Sequence, residues 1–297
     1  MHIPVLQKEV IKYLDPKPNE NFIDATIGGG GHASELLQKT APRGRVLGID
    51  WTQEAIQGIK TYQKDMPNLI LICDNFANLA EIVKQNKFNK VKGILLDLGY
   101  SSWHLEESGR GFSFQKKELL DMRYNAQNQL TAEKIVNFWS KFEIERILRE
   151  YGEERFAENI AQGIIEERKS KAIQTTSQLV EIISRAVPRG YLHGRIHFAT
   201  RTFQALRIAV NDELSNIEKV LPQALQVLEL GGRIAVISFH SLEDRIVKNF
   251  FSAYAKGYGG QEKQIEILTK KPIVPNWQEI KINARARSAK LRVAIKI

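Results

Sequence analysis

The sequence predicts an α/β protein built on a Rossmann-like, doubly wound parallel sheet with an inserted helical domain. Short, almost wholly apolar runs alternate with helical patterns through residues 5–98, which is typical of a parallel sheet covered by helices on both faces. The alternation then stops, and only helical periodicity is found until a strand pattern returns at 233–239. We therefore expect a core formed by residues 1–104 and 208–297, with the helical domain inserted at 105–207.

Four consecutive glycines, Gly28 to Gly31, follow the first predicted strand and precede His32 and a predicted helix over 33–39. Glycine lets a ligand approach the backbone closely because it has no Cβ. The unpaired N–H groups of the first helical turn favour anionic groups. The next predicted strand ends at Asp50, where a carboxylate can accept hydrogen bonds from ribose hydroxyls. This combination indicates a site for a nucleoside cofactor.

The glycine pattern does not identify the cofactor. Gly28, Gly30 and Ala33 fit G-x-G-x-x-G/A, which is compatible with a dinucleotide, with S-adenosylmethionine, or with a turn that binds nothing. Asp24 favours S-adenosylmethionine, because its carboxylate can pair with an ammonium group that dinucleotides lack. An NAD- or FAD-type Rossmann oxidoreductase and a non-catalytic RNA-binding assembly factor that retains the pocket stay open as alternatives.

Acidic residues stand at or near the ends of four predicted strands, namely Asp24, Asp50, Asp74 and Asp97. In open parallel sheets, ligands bind outside the carboxyl ends of the strands. We therefore expect these carboxylates to surround one pocket. For Asp74 the alternative is that it caps the helix that follows.

The charge of the chain indicates an anionic partner. The net charge is +9, and two tracts contain no acid: 182–211, with five arginines, and 280–297, with six lysines and arginines. Two clustered tracts favour a surface that faces phosphates over a uniform solubility surplus, and nucleic acid is the first candidate.

Other features exclude several functional classes. The single cysteine, Cys73, cannot form an internal disulfide, and its apolar surroundings predict a small core residue. His193 and His197 are four residues apart, but no Glu or Cys completes a zinc site, so we expect no required metal. Ser241 follows His240 without the G-x-S-x-G elbow of a hydrolase. With no signal-like or membrane-spanning segment in the sequence, we expect a cytoplasmic protein that does not bind membranes.

An ordered set of sequence blocks resembles the bacterial small-subunit ribosomal RNA cytosine-N4 methyltransferase family, and the blocks extend over nearly the whole chain. They are residues 2–6, 24–26 with 29–32, 96–99 with 101–102, 110–114, 120–123, 151–157, 199–205, 237–245 and 285–292. The resemblance implies a class I S-adenosylmethionine-dependent methyltransferase core with a helical insertion for substrate recognition. It also implies S-adenosylmethionine as the methyl donor and N4 of a cytidine in 16S ribosomal RNA, within the assembled small subunit, as the acceptor.

The family's cofactor contacts map onto particular residues of this chain. They are Gly30, Gly31, His32, Asp50, Phe76 and Asp97. Many members of the family have Pro-Gln where this chain has Trp103-His104, and His104 is retained as a cofactor contact because it can still form hydrogen bonds. Asp24 joins this set as the expected partner of the ammonium group.

The resemblance also directs attention to the reacting amine. The N4 lone pair is delocalised into the cytosine ring, and hydrogen-bond acceptors for the amine hydrogens would localise it. Candidates for this catalytic work are Asp97, the backbone carbonyls after it, Ser101 and Ser102. The alternative for Asp97 is a purely structural acid.

The target base must leave its stack to reach the methyl group. Tyr100, Arg110, Arg201, Arg207 and His240 are the candidate RNA-binding residues, and each arginine has the alternative of a salt bridge within the protein. Phe112 and Phe114 are expected to pack the insertion instead. Whether the chain acts alone or as a homodimer is left open.

Overall fold

The computed structural model describes residues 4–61, 66–99, 105, 108–257 and 262–297. The chain divides into two compact units: the first consists of Met1–Gly99 and Leu214–Ile297, and the second of Tyr100–Glu213. Among the described residues, no helix combines the length and the apolar character that crossing a membrane requires.

The first unit contains a seven-stranded sheet with the order β3-β2-β1-β4-β5-β7-β6. Its strands are β1 (Asn21–Asp24), β2 (Val46–Asp50), β3 (Leu69–Cys73), β4 (Val91–Asp97), β5 (Leu228–Ser238), β6 (Ile265–Ile267) and β7 (Lys290–Lys296). Strands β1 to β5 are parallel, whereas β7 is antiparallel to both β5 and β6. The predicted doubly wound sheet is confirmed.

Helices cover both faces of this sheet because the central strands are apolar on both sides. In the first unit they are α1 (Gln7–Leu14), α2 (Gly31–Thr40), α3 (Gln53–Lys60), α4 (Leu79–Gln85), α11 (Glu213–Val227, which begins at the last residue of the second unit), α12 (Ser241–Lys256) and α13 (Trp277–Ile282). In β4 the side chains of Ile94, Leu95 and Leu96 are fully buried. Ile94 and Leu96 belong to one apolar cluster and Leu95 to another, so alternate residues of one strand supply the two cores.

The second unit is helical, with an apolar core of its own. Its helices are α5 (Ala132–Phe138), α6 (Lys141–Glu150), α7 (Ala157–Ser170), α8 (Thr176–Ala186), α9 (Arg189–Leu192) and α10 (Thr200–Asn211). Ser140 and Glu143 form the capping box expected at the start of α6. Phe112 stacks on Tyr124, and Phe114 stacks on His197, so both phenylalanines pack within this unit.

One expectation about the sheet is wrong. Cys73 is exposed, because it is the last residue of β3, which is an edge strand paired with β2. The apolar-polar alternation of residues 291–297 is typical of an edge strand or of an antiparallel closing strand. This segment is the antiparallel strand β7, and it lies inside the sheet because β6 pairs with the side that does not face β5. A three-residue strand carries too little alternation to be found from the sequence.

Close packing at the start of α2 requires glycine at one of the four positions, Gly31. Gly30 precedes the helix with φ 76°, a left-handed conformation that glycine adopts readily. A Cβ on Gly31 would overlap the ring of Pro4. The side-chain amide of Gln7 also donates a hydrogen bond to the Gly31 carbonyl at 3.2 Å. The segment before α1 therefore packs directly against the glycine turn.

We expect Gly31→Ala to lower the free energy of unfolding by about 2 kcal/mol, because the added methyl group must displace a rigid proline ring. Gly58→Ala is the matched control. Gly58 lies inside α3 with nothing within 4 Å of an added Cβ, and alanine there should stabilise the helix by about 0.5–1 kcal/mol. Chemical denaturation of the two variants measures both effects; equal stabilities would contradict the packing of Pro4 on Gly31.

Candidate cofactor and catalytic site

Three of the four strand-end acids lie side by side at the carboxyl edge of the sheet. Asp50, Asp24 and Asp97 are the last residues of β2, β1 and β4, which are neighbours in that order. In the register of the sheet, Asp24 pairs with Gly48 on one side and Leu95 on the other. The sheet therefore brings these three carboxylates to one place, as the sequence predicts.

The fourth acid, Asp74, has a local structural role. It follows β3, and its carboxylate accepts hydrogen bonds from the Asn75 N–H at 2.6 Å and from the Asn78 amide at 3.0 Å. Phe76, the next predicted cofactor contact, begins a 3₁₀ turn over Phe76–Asn78 and is partly buried against the sheet core.

Asp50 holds the glycine turn in place. One carboxylate oxygen accepts a hydrogen bond from the Gly28 N–H at 2.9 Å, and the other accepts from the Thr52 N–H at 2.8 Å. Gly28 has φ 49°, within the left-handed region. Burial raises the pKa of Asp50, although both N–H donors act in the opposite direction. This structural role was missed by sequence reasoning, because it depends on which N–H group the β2 carboxylate meets.

Asp24 is buried, with 1% of its surface exposed. Its carboxylate accepts a hydrogen bond from the Thr26 N–H at 3.3 Å. Burial raises the pKa of Asp24 to about 7, and the nearby negative charges of Asp97 and Asp50 add to this effect while His32 opposes it. A carboxylate in this position is stabilised by any cation that enters the pocket.

His32, in the first turn of α2, is buried beside Asp97. Its Nε2 lies 3.6 Å from an Asp97 carboxylate oxygen, and neither ring nitrogen has a hydrogen bond of good geometry to the residues that the structure describes. Burial acts to lower the pKa of His32, but Asp97 and Asp24 outweigh it, so the net shift is upward. The other Asp97 oxygen is also buried, and it has no hydrogen-bond partner within the described part of the chain. Buried polar atoms without partners are uncommon and indicate a site completed by a ligand.

The donor set of this pocket fits S-adenosylmethionine better than a dinucleotide. Three carboxylates favour a ligand that carries an ammonium and a sulfonium charge, whereas they would repel a pyrophosphate. The N-terminus of α2 and the glycine turn supply N–H groups and open backbone for the anionic end of the same ligand. The residues present therefore fit this cofactor.

Of the remaining predicted site residues, His240 is described by the structure and four others are not. Ser101, Ser102, His104 and Tyr100 lie outside the described residues. His240 is half-buried at the start of α12, where its Nδ1 accepts a hydrogen bond from the Glu243 N–H at 3.4 Å. Its role in RNA binding stays a prediction.

Two of the three candidate arginines are engaged inside the second unit. The Arg110 guanidinium donates hydrogen bonds to the carbonyls of Arg123 and Tyr124. Arg207 forms two hydrogen bonds with the Glu213 carboxylate, at 2.9 and 3.0 Å, and both side chains are largely buried. Arg201 is half-buried and interacts with Tyr191. For Arg110 and Arg207 these contacts favour the structural alternative.

Three other arginines of the basic tract 182–211 are more exposed than Arg201 and Arg207. They are Arg185, Arg189 and Arg195. Sequence reasoning did not separate them from Arg201 and Arg207, because charge alone does not show which residues of the tract a helix turns inward. Amphipathic spacing within α10, where Phe203, Leu206 and Val210 are buried, would have placed Arg207 close to the core.

The strand order with its antiparallel β7, the glycine turn and the adjoining carboxylates together define a class I S-adenosylmethionine-dependent methyltransferase. The chain belongs to the MraW methylase family, whose model matches residues 1–297. The sequence is 46% identical over 308 residues to "Ribosomal RNA small subunit methyltransferase H" of Heliobacterium mobile, covering 100% of this chain and 99% of that protein.

Two further proteins align with this chain over its full length. The protein of the same name from Clostridium botulinum (strain Kyoto / Type A2) is 44% identical over 306 residues, covering 100% of this chain and 99% of that protein. Among solved structures, an rRNA methylase from Streptococcus thermophilus aligns with 12% identity and a TM-score of 0.47, over 100% of this chain and 99% of that one.

We expect Asp24→Asn to stabilise the cofactor-free protein at high pH and to weaken cofactor binding. The folded pKa of about 7 lies above the unfolded value of about 3.9, so the wild type loses stability as pH rises through this window. Asparagine removes that loss, and the gain at pH 8 should be on the order of 1–4 kcal/mol, shrinking towards pH 4.

Thermal unfolding between pH 4 and pH 8 measures this gain, and Asp74→Asn, at the residue that follows β3, is the control. Calorimetry with S-adenosylhomocysteine should show affinity reduced roughly tenfold or more, because a charge-assisted hydrogen bond is removed. A variant that binds as tightly as the wild type would show that Asp24 does not meet the ammonium group.

We expect Arg207→Ala to lower the free energy of unfolding by about 3 kcal/mol, because Glu213 then loses its buried cationic partner. Arg195→Ala, in the exposed part of the same tract, should stay within about 0.5 kcal/mol of the wild type. Urea denaturation compares the two variants. If Arg207→Ala and Arg195→Ala were equally stable, the ion pair with Glu213 would not be structural, and Arg207 would be available to bind RNA.

Proposed function

We propose that this protein transfers a methyl group from S-adenosylmethionine to N4 of a cytidine in 16S ribosomal RNA, within the assembled small subunit. The observation that carries the proposal is the buried cluster of Asp24, His32 and Asp97 at the glycine turn. The names of the full-length relatives support small-subunit ribosomal RNA as the substrate, and the family resemblance supports the N4 position.

The cofactor-binding residues have separable tasks. Asp24 would hold the ammonium group, the N–H groups at the start of α2 would hold the carboxylate, and Asp50 would accept hydrogen bonds from the ribose hydroxyls. Gly30, Gly31 and Phe76 would form the walls around the nucleoside. When bound, S-adenosylmethionine supplies an electrophilic methyl group on a positively charged sulfur.

The protein must position the amine and make its lone pair available. Asp97 has a buried carboxylate oxygen with no partner in the described ranges, and its own N–H donates to the Thr26 hydroxyl at 2.6 Å, which fixes the end of β4. That oxygen would accept one amine hydrogen. The backbone carbonyls after Asp97, with Ser101 and Ser102, would accept the other. His32 orients the Asp97 carboxylate from its second side. Exclusion of water and alignment of the amine then supply much of the rate.

Recognition of the RNA is assigned to both units. Tyr100 would stack on the extruded base, and His240 would contact it at the carboxyl edge of the sheet. Arg201 would meet phosphates from the second unit, with Arg110 and Arg207 supporting the surface that presents it. Because the substrate is proposed to be assembled, the complete small subunit should be a better acceptor than naked RNA.

We expect the wild-type protein to transfer tritium from labelled S-adenosylmethionine to small subunits from a strain lacking this enzyme. Asp97→Ala should reduce the rate by at least about 100-fold, since both amine positioning and cofactor binding suffer. Mass spectrometry of digested RNA should find the label on N4 of a cytidine. In a second assay, naked 16S ribosomal RNA replaces the small subunits as the methyl acceptor. In a third, calorimetry measures whether the protein binds NAD.

Each alternative predicts a different result. Binding of S-adenosylhomocysteine without transfer to any RNA would favour a non-catalytic assembly factor. Binding of NAD instead of the homocysteine would favour an oxidoreductase. Label on the cytosine ring carbon or on ribose would contradict the N4 assignment while leaving the methyltransferase intact.

A further inference from the structure

The second acid-free tract, 280–297, which the cofactor site does not use, begins three residues after an exposed tryptophan. Trp277 begins α13 with 72% of its surface exposed, and Ile282 ends the same helix with 71% exposed. The Lys281 ammonium lies over the Trp277 ring, 5.3 Å from its centroid. A cation at this distance interacts favourably with the face of an indole ring.

The direction of β7 places this surface at the same edge of the sheet as the acids. Because β7 is antiparallel, its first residue, Lys290, pairs with Ser238, the last residue of β5. The 3₁₀ turn Ala284–Ser288 comes directly before β7, and α13 packs against that turn. Trp277, Lys281 and the exposed Arg287 are therefore carried by the segment that enters the sheet at its carboxyl edge.

The surface is held rigidly and is connected to the glycine turn. The Asn276 side chain caps α13 by accepting a hydrogen bond from the Glu279 N–H at 2.9 Å, and the Ala286 side chain is fully buried in the core. The Glu279 carboxylate accepts a hydrogen bond from the Leu6 N–H at 2.7 Å. Leu6 is two residues from Pro4, which packs on Gly31.

The charges of this surface select its partner. The acid of α13, Glu279, uses a carboxylate oxygen for Leu6, and no acid follows it in the sequence. An aromatic face with neighbouring cations is the arrangement that stacks bases and neutralises phosphates in single-stranded nucleic acids. A purely apolar protein partner would leave Lys281 and Arg287 without compensation.

We propose that Trp277, Lys281 and Arg287 form a stacking platform for the single-stranded RNA that flanks the target cytidine. The inference rests on the proposed function, because it takes RNA as the substrate and adds the surface that receives the neighbouring nucleotides. Trp277 stacks on a base, and Lys281 and Arg287 lie beside the phosphates on either side of it.

The test compares Trp277→Ala, Trp277→Phe and Lys281→Gln with the wild type. Affinity for a labelled single-stranded oligoribonucleotide of about 12 nucleotides is measured by fluorescence anisotropy at several salt concentrations. Trp277→Ala should weaken binding roughly 5- to 150-fold, and Trp277→Phe should recover most of the loss, because a phenyl ring also stacks. Lys281→Gln should reduce the salt slope by about one.

Two controls separate this inference from the proposed function. All variants should bind S-adenosylhomocysteine as the wild type does, and their KM for small subunits should rise more than kcat falls. Phe138→Ala, at an aromatic residue of the second unit with 80% exposure, should leave RNA affinity unchanged. If the wild type methylates RNA while Trp277→Ala binds it normally, the platform is wrong but the enzyme assignment holds.

Other occupants give their own results. A shift from dimer to monomer in Trp277→Ala by light scattering, with RNA affinity unchanged, would make this face a contact between two copies of the chain and overturn the inference. Loss of cofactor binding in Trp277→Ala would indicate a damaged fold, and Trp277→Phe and Lys281→Gln then decide: normal RNA affinity and salt slope in both would also overturn it.

Discussion

The burial of the Asp24 carboxylate at the end of β1 is the constraint on which the site depends. A charged group in this position is costly unless a cation accompanies it. The structure places two more carboxylates on the neighbouring strands, and among the described residues the Thr26 N–H and the buried imidazole of His32 are the local groups that favour the charged form of Asp24. The pocket is therefore more stable when it holds a positively charged ligand, and this couples the stability of the sheet edge to the cofactor.

Asp50 and Asp97 show how the same edge separates structural from chemical tasks. The Asp50 carboxylate accepts a hydrogen bond from the Gly28 N–H and so fixes the glycine turn, which lies at the proposed cofactor site. Among the described residues, one oxygen of Asp97 has no partner, while the Thr26 hydroxyl, in the turn after β1, accepts a hydrogen bond from the Asp97 N–H. Asp50 and Asp97 are the last residues of β2 and β4, yet within the described residues it is Asp97 that retains an oxygen for a reacting group.

The sequence was sufficient for the features that arise from local pattern. Apolar runs that end in Asp24, Asp50 and Asp97 predict both the parallel sheet and the shared edge, because strand direction fixes where carboxyl ends meet. The sequence was insufficient where tertiary pairing decides. Cys73 lies in an apolar run but on an edge strand, and β7 lies inside the sheet only because three residues of β6 pair with it. Charge alone does not separate Arg207 from its exposed neighbours; the amphipathic spacing of α10 places it near the core, and its pairing with Glu213 depends on the fold.

The connectivity of the first unit also has a consequence for the order of folding. Strand β4 and strand β5 are neighbours in the sheet, with Asp97 paired to Ile237, although the entire second unit separates them along the chain. Their pairing closes a long loop, which carries an entropic cost that slows assembly. The helical unit has a separate apolar core made of local contacts, so it can collapse early and shorten that loop. The carboxyl edge of the sheet, where Asp97 lies, therefore stays incomplete until β5 is available to pair with β4.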